Sequence, residues 1–439
     1  MAVGFGWLAI LRLGAVQASI GAIVMIATSL LNRIMVVEYA LAAAIPAGLV
    51  AWHYVIQLSR PLWGHGSDRG GLRTPWILVG MAVLALGALI AVNAVILMPT
   101  HHGAGLALAI FAFALIGAGV GAAGTSMLAM LAAGVARERR AAAAAVTWIM
   151  MVSGIAISAG IAGALLDPFS EQRLAIVASG VCLVALLVSF IATRGLERPS
   201  RPEPEIEARP DADFAQALRQ TLRDPEARRF TWFIFASMLA YSMQDLILEP
   251  FAGLVFGMTP GQSTQLSGLQ HGGVLLGMIV AGVGGSAFAG RLPVELRTWV
   301  VAGCLGSALS LAGLAAAATY GPAWPLAANI FVLGLCNGVF AVAAIGSMMG
   351  LAGAGPGNSE GIRMGVWGAA QAIAFGLGGL TGAIGVDLAR RWQGEDGQAF
   401  QLIFLIEGAA FVASALLALK ATARSPKGLS QQSRNMRTT

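Results

Sequence analysis

The sequence predicts an all-α membrane protein of twelve transmembrane helices, arranged as two halves of six with both termini in the cytoplasm. Three observations carry this reading. Of 439 residues, 57% are apolar, only 11% are charged, and mean hydropathy is +0.77. A soluble fold of this length has too little interior to hide that much apolar surface. Twelve apolar segments are each long enough to cross ~30 Å of hydrocarbon. All but four of the 27 basic residues fall on one side of the resulting topology. The composition excludes a soluble enzyme, a disordered chain and a disulfide-stapled secreted domain.

In chain order the segments lie near 13–31, 41–60, 76–97, 104–132, 143–165, 174–193, 230–256, 266–289, 298–319, 324–350, 364–386 and 400–420. Arg12 is the only basic residue before the first, and eleven more follow, so it reads as an uncleaved helix rather than a leader. The four basic exceptions are Arg33, Arg173, Arg390 and Arg391. The others, among them Arg137, Arg139, Arg140, Arg291, Arg297 and Lys420, sit at the N-terminus, in even-to-odd loops or in the tail. The positive-inside rule places that side in the cytoplasm. The net charge of +6 is therefore a topology signal and not the footprint of a nucleic acid.

Between the sixth and seventh segments, Pro199, Pro202, Pro204 and Pro210 stand among charges of both signs, the pattern of an extended linker. Phe214, Ala217, Leu218 and Leu222 then recur at helical spacing beside Arg219 and Arg223, which suits a short helix on the membrane surface. The domain reading is a six-helix half over 1–193, a cytoplasmic linker over 194–229, a second half over 230–421 and a polar tail over 422–439.

The chain holds 57 glycines, a share well above the usual. Pairs such as Gly117/Gly121, Gly334/Gly338, Gly346/Gly350 and Gly378/Gly382 predict close helix packing, since small residues let backbones approach in lipid. Cys182, Cys304 and Cys336 all fall in apolar stretches without a CxxC, so they read as small buried hydrophobes rather than metal ligands.

Two loops at equivalent points in the halves look alike. Gly64–Trp76 reads Gly-His-Gly-Ser-Asp-Arg-Gly-Gly-Leu-Arg-Thr-Pro-Trp, and Gly290–Trp299 reads Gly-Arg-Leu-Pro-Val-Glu-Leu-Arg-Thr-Trp. The first resembles the GxxxD-R-x-G-x-R loop of the major facilitator superfamily. Gly64, Asp68, Arg69, Gly71 and Arg73 are its candidate conformational-loop residues, with glycines for tight turning and charges for a latch.

Polar groups deep in hydrocarbon are costly and mark function. In the seventh segment Tyr241, Gln244, Asp245 and Glu249 precede Pro250, and helical spacing places Tyr241, Asp245 and Glu249 on one face. A proton relay or ligand site competes there with a hydrated helix end, and Pro250 is expected to break the helix beside Glu249. His53 lies between Trp52 and Tyr54 with Gln57 one turn on, and His271 lies beside Gln270. A neutral imidazole suits the magnesium of a tetrapyrrole as an axial ligand, although a hydrogen-bonded structural histidine is the plainer reading. Arg33 and Glu38 are candidates for an ion pair at the membrane edge. Gln371 and Glu407 are further deep polar groups. The sequence carries no phosphate-binding loop, nucleophile elbow, zinc signature or paired DxxxD motif, so no catalytic residue and no protein metal site is assigned.

Four segments together resemble the PucC/LhaA family of the major facilitator superfamily, the bacteriochlorophyll delivery proteins of purple photosynthetic bacteria. They are Leu31-Asn-Arg-Ile-Met-Val-Val-Glu38, Gly64–Trp76, Gln244-Asp-Leu-Ile-Leu-Glu-Pro-Phe251 and Gly365-Val-Trp-Gly-Ala-Ala-Gln371. The likeness runs over residues 10–420 and looks most like the PucC-like branch labelled a bacteriochlorophyll synthase chain. It implies a non-enzymatic carrier or assembly factor in the bacterial inner membrane, working in light-harvesting complex biogenesis or pigment synthesis. Its implied partners are lipid, bacteriochlorophyll or a precursor, and antenna polypeptides or pigment-synthesis enzymes, with no obligatory cofactor. His53, Gln57, Tyr241, Gln244, Asp245, Glu249, His271 and Gln371 are the candidate pigment or proton site. Two alternatives stay open: a proton-coupled secondary transporter of a small solute, and a non-catalytic subunit associated with bacteriochlorophyll synthase.

Overall fold

The computed structural model describes residues 5–60, 63, 72–136, 139–197, 223, 225–287, 296–353 and 360–421. All regular structure among them is helical. The long helices are α1 (Trp7–Met25), α2 (Ala44–Ile56), α3 (Thr74–Leu97), α4 (His102–Gly134), α5 (Arg140–Leu166) and α6 (Glu171–Thr193). They continue as α7 (Pro225–Met243), α8 (Leu248–Phe256), α9 (Pro260–Ala287), α10 (Leu296–Tyr320), α11 (Leu326–Gly353), α12 (Glu360–Gln393) and α13 (Asp396–Ala421).

Among the described residues ten helical runs are long and apolar enough to cross a membrane, and the chain is a multi-pass membrane protein. Two of the twelve expected spans fall outside that set. α2 has only 13 residues, short of the length a crossing needs. α9 has 28 residues but is interrupted by Gln262, Ser263, Thr264, Gln265, Ser267, Gln270 and His271.

α1 packs on α5 and α6, α3 on α4 and α6, and α2 on α4. Later in the chain α7 packs on α12 and α13, α10 on α11 and α13, and α9 on α11. Two seams join these sets, α5 against α9 and α2 against α12. Glycine makes the approaches possible. A methyl on Gly163 of α5 would meet the Gly261 carbonyl at 2.6 Å, and one on Gly268 of α9 would meet the Gly160 amide nitrogen at 2.9 Å. Gly117 lies against the His53 carbonyl, Gly382 against that of Met243, and Gly334 and Gly338 against those of Gln270 and Val274.

Two spans depart from the regular helices expected. The first continues past Met25 as two wide π-type turns, Ile26–Leu31 and Ile34–Glu38. The Thr28 hydroxyl donates to the Val24 carbonyl at 3.1 Å, competing with the backbone donor where the helix widens. The seventh is broken: α7 ends at Met243, Gln244–Leu246 form a 3-10 turn, and α8 restarts at Leu248. The break lies upstream of Pro250, which sits in the first turn of α8 where its missing N–H costs little. Tyr241, Asp245 and Glu249 therefore do not share one continuous helix face. α8 closes on Gly257, whose φ of 65° only glycine adopts freely.

Candidate functional site

The break delivers Glu249 to the first turn of α8, where the helix N-terminus favours negative charge. Glu249 is 4% exposed, so it is not the hydrated helix end that its late position allowed. Ser29, in the first π-type turn, donates to its Oε1. Thr264 of α9 donates to its Oε2 at 3.5 Å, and the Ser29 and Ser267 hydroxyls lie 3.0 Å apart. One carboxylate thus meets hydroxyls from two elements remote in sequence. Beside it Arg33, only 1% exposed, pairs with Glu38 and donates to the Met258 carbonyl at 2.5 Å.

The two candidate histidines differ. His53 is 2% exposed; its Nδ1 lies 2.8 Å from the Val50 carbonyl and its Nε2 lies 2.8 Å from the Gln57 amide nitrogen. Nδ1–H must donate to the carbonyl, so Nε2 accepts from Gln57 and no lone pair is left for a metal. Arg60 extends the chain by donating to Gln57 Oε1. His53, Gln57 and Arg60 thus form one hydrogen-bonded chain, the arrangement of the plainer, structural reading of His53. His271 is half-buried on α9, and its Nδ1 lies 2.9 Å from the Ser267 carbonyl. Nδ1–H donates there, leaving the Nε2 lone pair without a partner among the described residues. A backbone carbonyl holding the far nitrogen is the arrangement that orients a histidine toward a metal.

A third group is aromatic. Phe375 of α12 meets Tyr54 of α2 at 6.3 Å between ring centroids and Tyr241 of α7 at 5.8 Å, so three helices share one cluster. All three rings are half-buried, as are Asp245 and Gln371, which lies one turn before Phe375. Asp245 is within electrostatic reach of both tyrosines and of Glu407. Glu407 is fully buried on α13, and neither of its carboxyl oxygens has a donor among the described residues. Gln244, also fully buried, donates to the Tyr241 carbonyl at 3.1 Å. The candidates thus separate into the Glu249 cluster with His271 beyond it, the His53–Gln57–Arg60 chain, the aromatic group near Asp245, and the Arg33–Glu38 pair.

The two ends of the molecule are tied differently. At the basic-poor end, Asp387 of α12 accepts the backbone N–H groups of Ala43 and Ala44 at 3.0 and 2.8 Å, closing the start of α2. Thr259 donates to Asp167 at 2.7 Å at the same end. At the other end Glu197 accepts the Arg73 and Thr74 N–H groups at the start of α3, the nearest donor–acceptor distance being 2.7 Å. Arg12 donates to the Ala192 carbonyl near the end of α6 at 3.0 Å. Gly64, Asp68, Arg69 and Gly71 of the charged loop lie outside the described residues, as do most of its degraded second copy and of the linker.

Sequence reasoning overlooked Ser29, Thr264, Ser267 and Phe375 as site residues. The usable signal is a polar stripe on α9, where the hydroxyl-bearing Thr264 and Ser267 and then His271 recur at intervals of three and four.

Comparison with known proteins agrees with this architecture. The crystal structure of the peptide transporter POT in complex with sulfate superposes with a TM-score of 0.68 at 16% identity, covering 96% of each chain. A bacterial homolog of the human lysosomal transporter Spinster, inward-facing and unoccupied, gives 0.66 at 16% identity and the same coverage. At such identity the likeness establishes the fold alone, that of the facilitator-type transporters. By sequence, the chain is 50% identical to the bacteriochlorophyll synthase 44.5 kDa chain of Rhodobacter capsulatus, over 94% of this chain and 95% of that one. It is 29% identical to protein PucC of the same organism, over 85% and 83% of the two chains. Residues 30–425 match the family described as PUCC protein, and the chain belongs to that family.

Proposed function

We propose that this protein is a bacteriochlorophyll carrier or assembly factor of the bacterial inner membrane, acting in light-harvesting complex biogenesis or pigment synthesis. The observation that carries the reading is His271: its Nδ1–H is fixed on the Ser267 carbonyl and its Nε2 is open. That is the presentation a magnesium macrocycle needs from an axial ligand. The half-buried Tyr54, Phe375 and Tyr241 offer apolar ring faces, with Asp245 and Gln371 as the adjoining polar groups. The names of the relatives, a bacteriochlorophyll synthase chain and PucC, support this pigment class. The cargo is bacteriochlorophyll or a precursor, and the receivers are antenna polypeptides or pigment-synthesis enzymes.

The role is non-catalytic. Membership of the PUCC family and a transporter-type fold support that reading. We also infer twelve crossings in a six-plus-six repeat with both termini in the cytoplasm. α9, and α2 taken together with the 3-10 turn Gln57–Ser59 that continues it, complete the ten apolar crossings, and the pairing of α1–α6 is repeated in the same order by α7 and α9–α13. Deleting the gene from a pigment-synthesising host tests the role. Antenna absorption should fall while pigment or precursor accumulates outside the complexes; normal antenna assembly and pigment levels would reject it.

A further inference from the structure

We propose that Glu249 is a proton-binding site built across the seam between α1–α6 and α7–α13, and that its proton holds the basic-poor end of that seam closed. This goes beyond pigment binding and stands independently of it.

Among the described residues, the polar contacts that cross between the two sets gather at one end. They join Ser29 to Glu249 and Ser267, Asn32 to the Leu246 carbonyl, Arg33 to the Met258 carbonyl, Asp167 to Thr259, and Asp387 to the amides of Ala43 and Ala44. Glu249 is the carboxyl group among them that is both inside the seam and almost wholly buried.

The charge balance there is uneven. Arg33 is the cation at hand, and its ion pair is with Glu38. Glu249 is bonded by hydroxyls and feels only the charge that Arg33 already shares with Glu38, so in the closed seam an ionised Glu249 is a buried charge that is incompletely compensated. A single proton removes that charge. It forms one O–H bond on a carboxyl oxygen, and the new hydroxyl donates to Ser29 Oγ or Ser267 Oγ while those hydroxyls reorient. No other reactant is needed. Loss of the proton restores a carboxylate that water solvates better than the seam does, so it favours parting of the two sets. The closed form binds the proton more tightly than the open form, and by linkage acid closes and alkali opens.

The ionisable groups on the elements packed around Glu249 are few. They are Arg33 between the two π-type turns and Glu38 in the second, His271 on α9, Asp245 in the 3-10 turn, and Glu407, Asp396 and Lys420 on α13, with Asp396 paired to Arg390. His271 and Asp245 reach other partners, so the variants that decide the question are at Glu249 itself.

Spin labels at His101 and at Trp392, both exposed near the basic-poor end, report the seam in lipid nanodiscs, with Cys182, Cys304 and Cys336 replaced. Pulsed electron resonance across mildly acidic to mildly alkaline pH reads the distance distribution. In the otherwise native protein the long-distance fraction should rise severalfold as pH rises. Glu249→Gln, which mimics the protonated acid, should stay closed at every pH. Glu249→Asp keeps a carboxyl and should retain a pH response. A distribution unmoved by pH in the native background would overturn the proposal. So would a Glu249→Gln protein that opens with pH as the native one does, or a Glu249→Asp protein that does not respond.

Discussion

The Asn32 side-chain amide donates to the Leu246 carbonyl at 2.8 Å, and this is the carbonyl that Pro250 leaves without its helical donor. In a regular helix the N–H of residue 250 would bond the carbonyl four residues earlier; proline has none. A neighbouring span supplies the missing hydrogen, which is how broken helices are tolerated in lipid.

Asn32→Ala should therefore cost about 1–2 kcal/mol by orphaning a buried carbonyl. Pro250→Ala returns an N–H to the chain, so the cost of Asn32→Ala should shrink in that background. Thermal unfolding of the four variants in detergent measures the coupling. Equal costs in both backgrounds would show that Asn32 is not compensating for the proline.

The Arg33–Glu38 pair makes a second case. Glu38→Ala leaves a fully buried guanidinium with only the Met258 carbonyl, while Glu38 itself is 34% exposed. The expected loss is roughly 1–3 kcal/mol, discounted for that exposure. Arg33→Met combined with Glu38→Ala should recover part of it, because the orphaned charge is gone. Chemical denaturation curves compare the single and double variants.

Asp387 bonds two backbone N–H groups at the start of α2 with both of its oxygens. Asp387→Ala should destabilise that end by about 1 kcal/mol. Hydrogen exchange of the amides at Ala43 and Ala44 should accelerate, while exchange in the middle of α3 stays unchanged. Unchanged protection at Ala43 and Ala44 would remove Asp387 from this role.

Close packing makes a fourth prediction. A methyl on Gly382 would meet the Met243 carbonyl at 2.6 Å, whereas one on Gly180 meets nothing within 4 Å. Gly382→Ala should lower the monodisperse yield on size-exclusion chromatography. Gly180→Ala should leave it unchanged, since alanine is the better helix former and has room.

These relationships divide what the sequence discloses from what it conceals. The apolar runs behind α3, α5, α6 and α13 are legible because hydrocarbon demands length and composition, both local properties. Arg33 and Glu38 are legible as partners because five positions separate them. The break before α8 is legible only in part, since Pro250 marks a disruption beside Glu249 but does not reveal that the 3-10 turn falls upstream, at Gln244–Leu246. Nor are the partners of Glu249, because Ser29 lies 220 positions away and a serine in an apolar run carries no address. The histidines show the same limit. His53 and His271 look alike in sequence, and only the placement of Gln57 against one ring separates a closed imidazole from an open one.

The most direct test of the account is the absorption spectrum of the protein purified from a pigment-synthesising host, with His271→Leu and His53→Leu beside it. The account predicts a bound tetrapyrrole in the unaltered protein, a severalfold loss of it in His271→Leu, and retention per folded molecule in His53→Leu. No bound tetrapyrrole in the unaltered protein, or the same pigment content in His271→Leu, would contradict it.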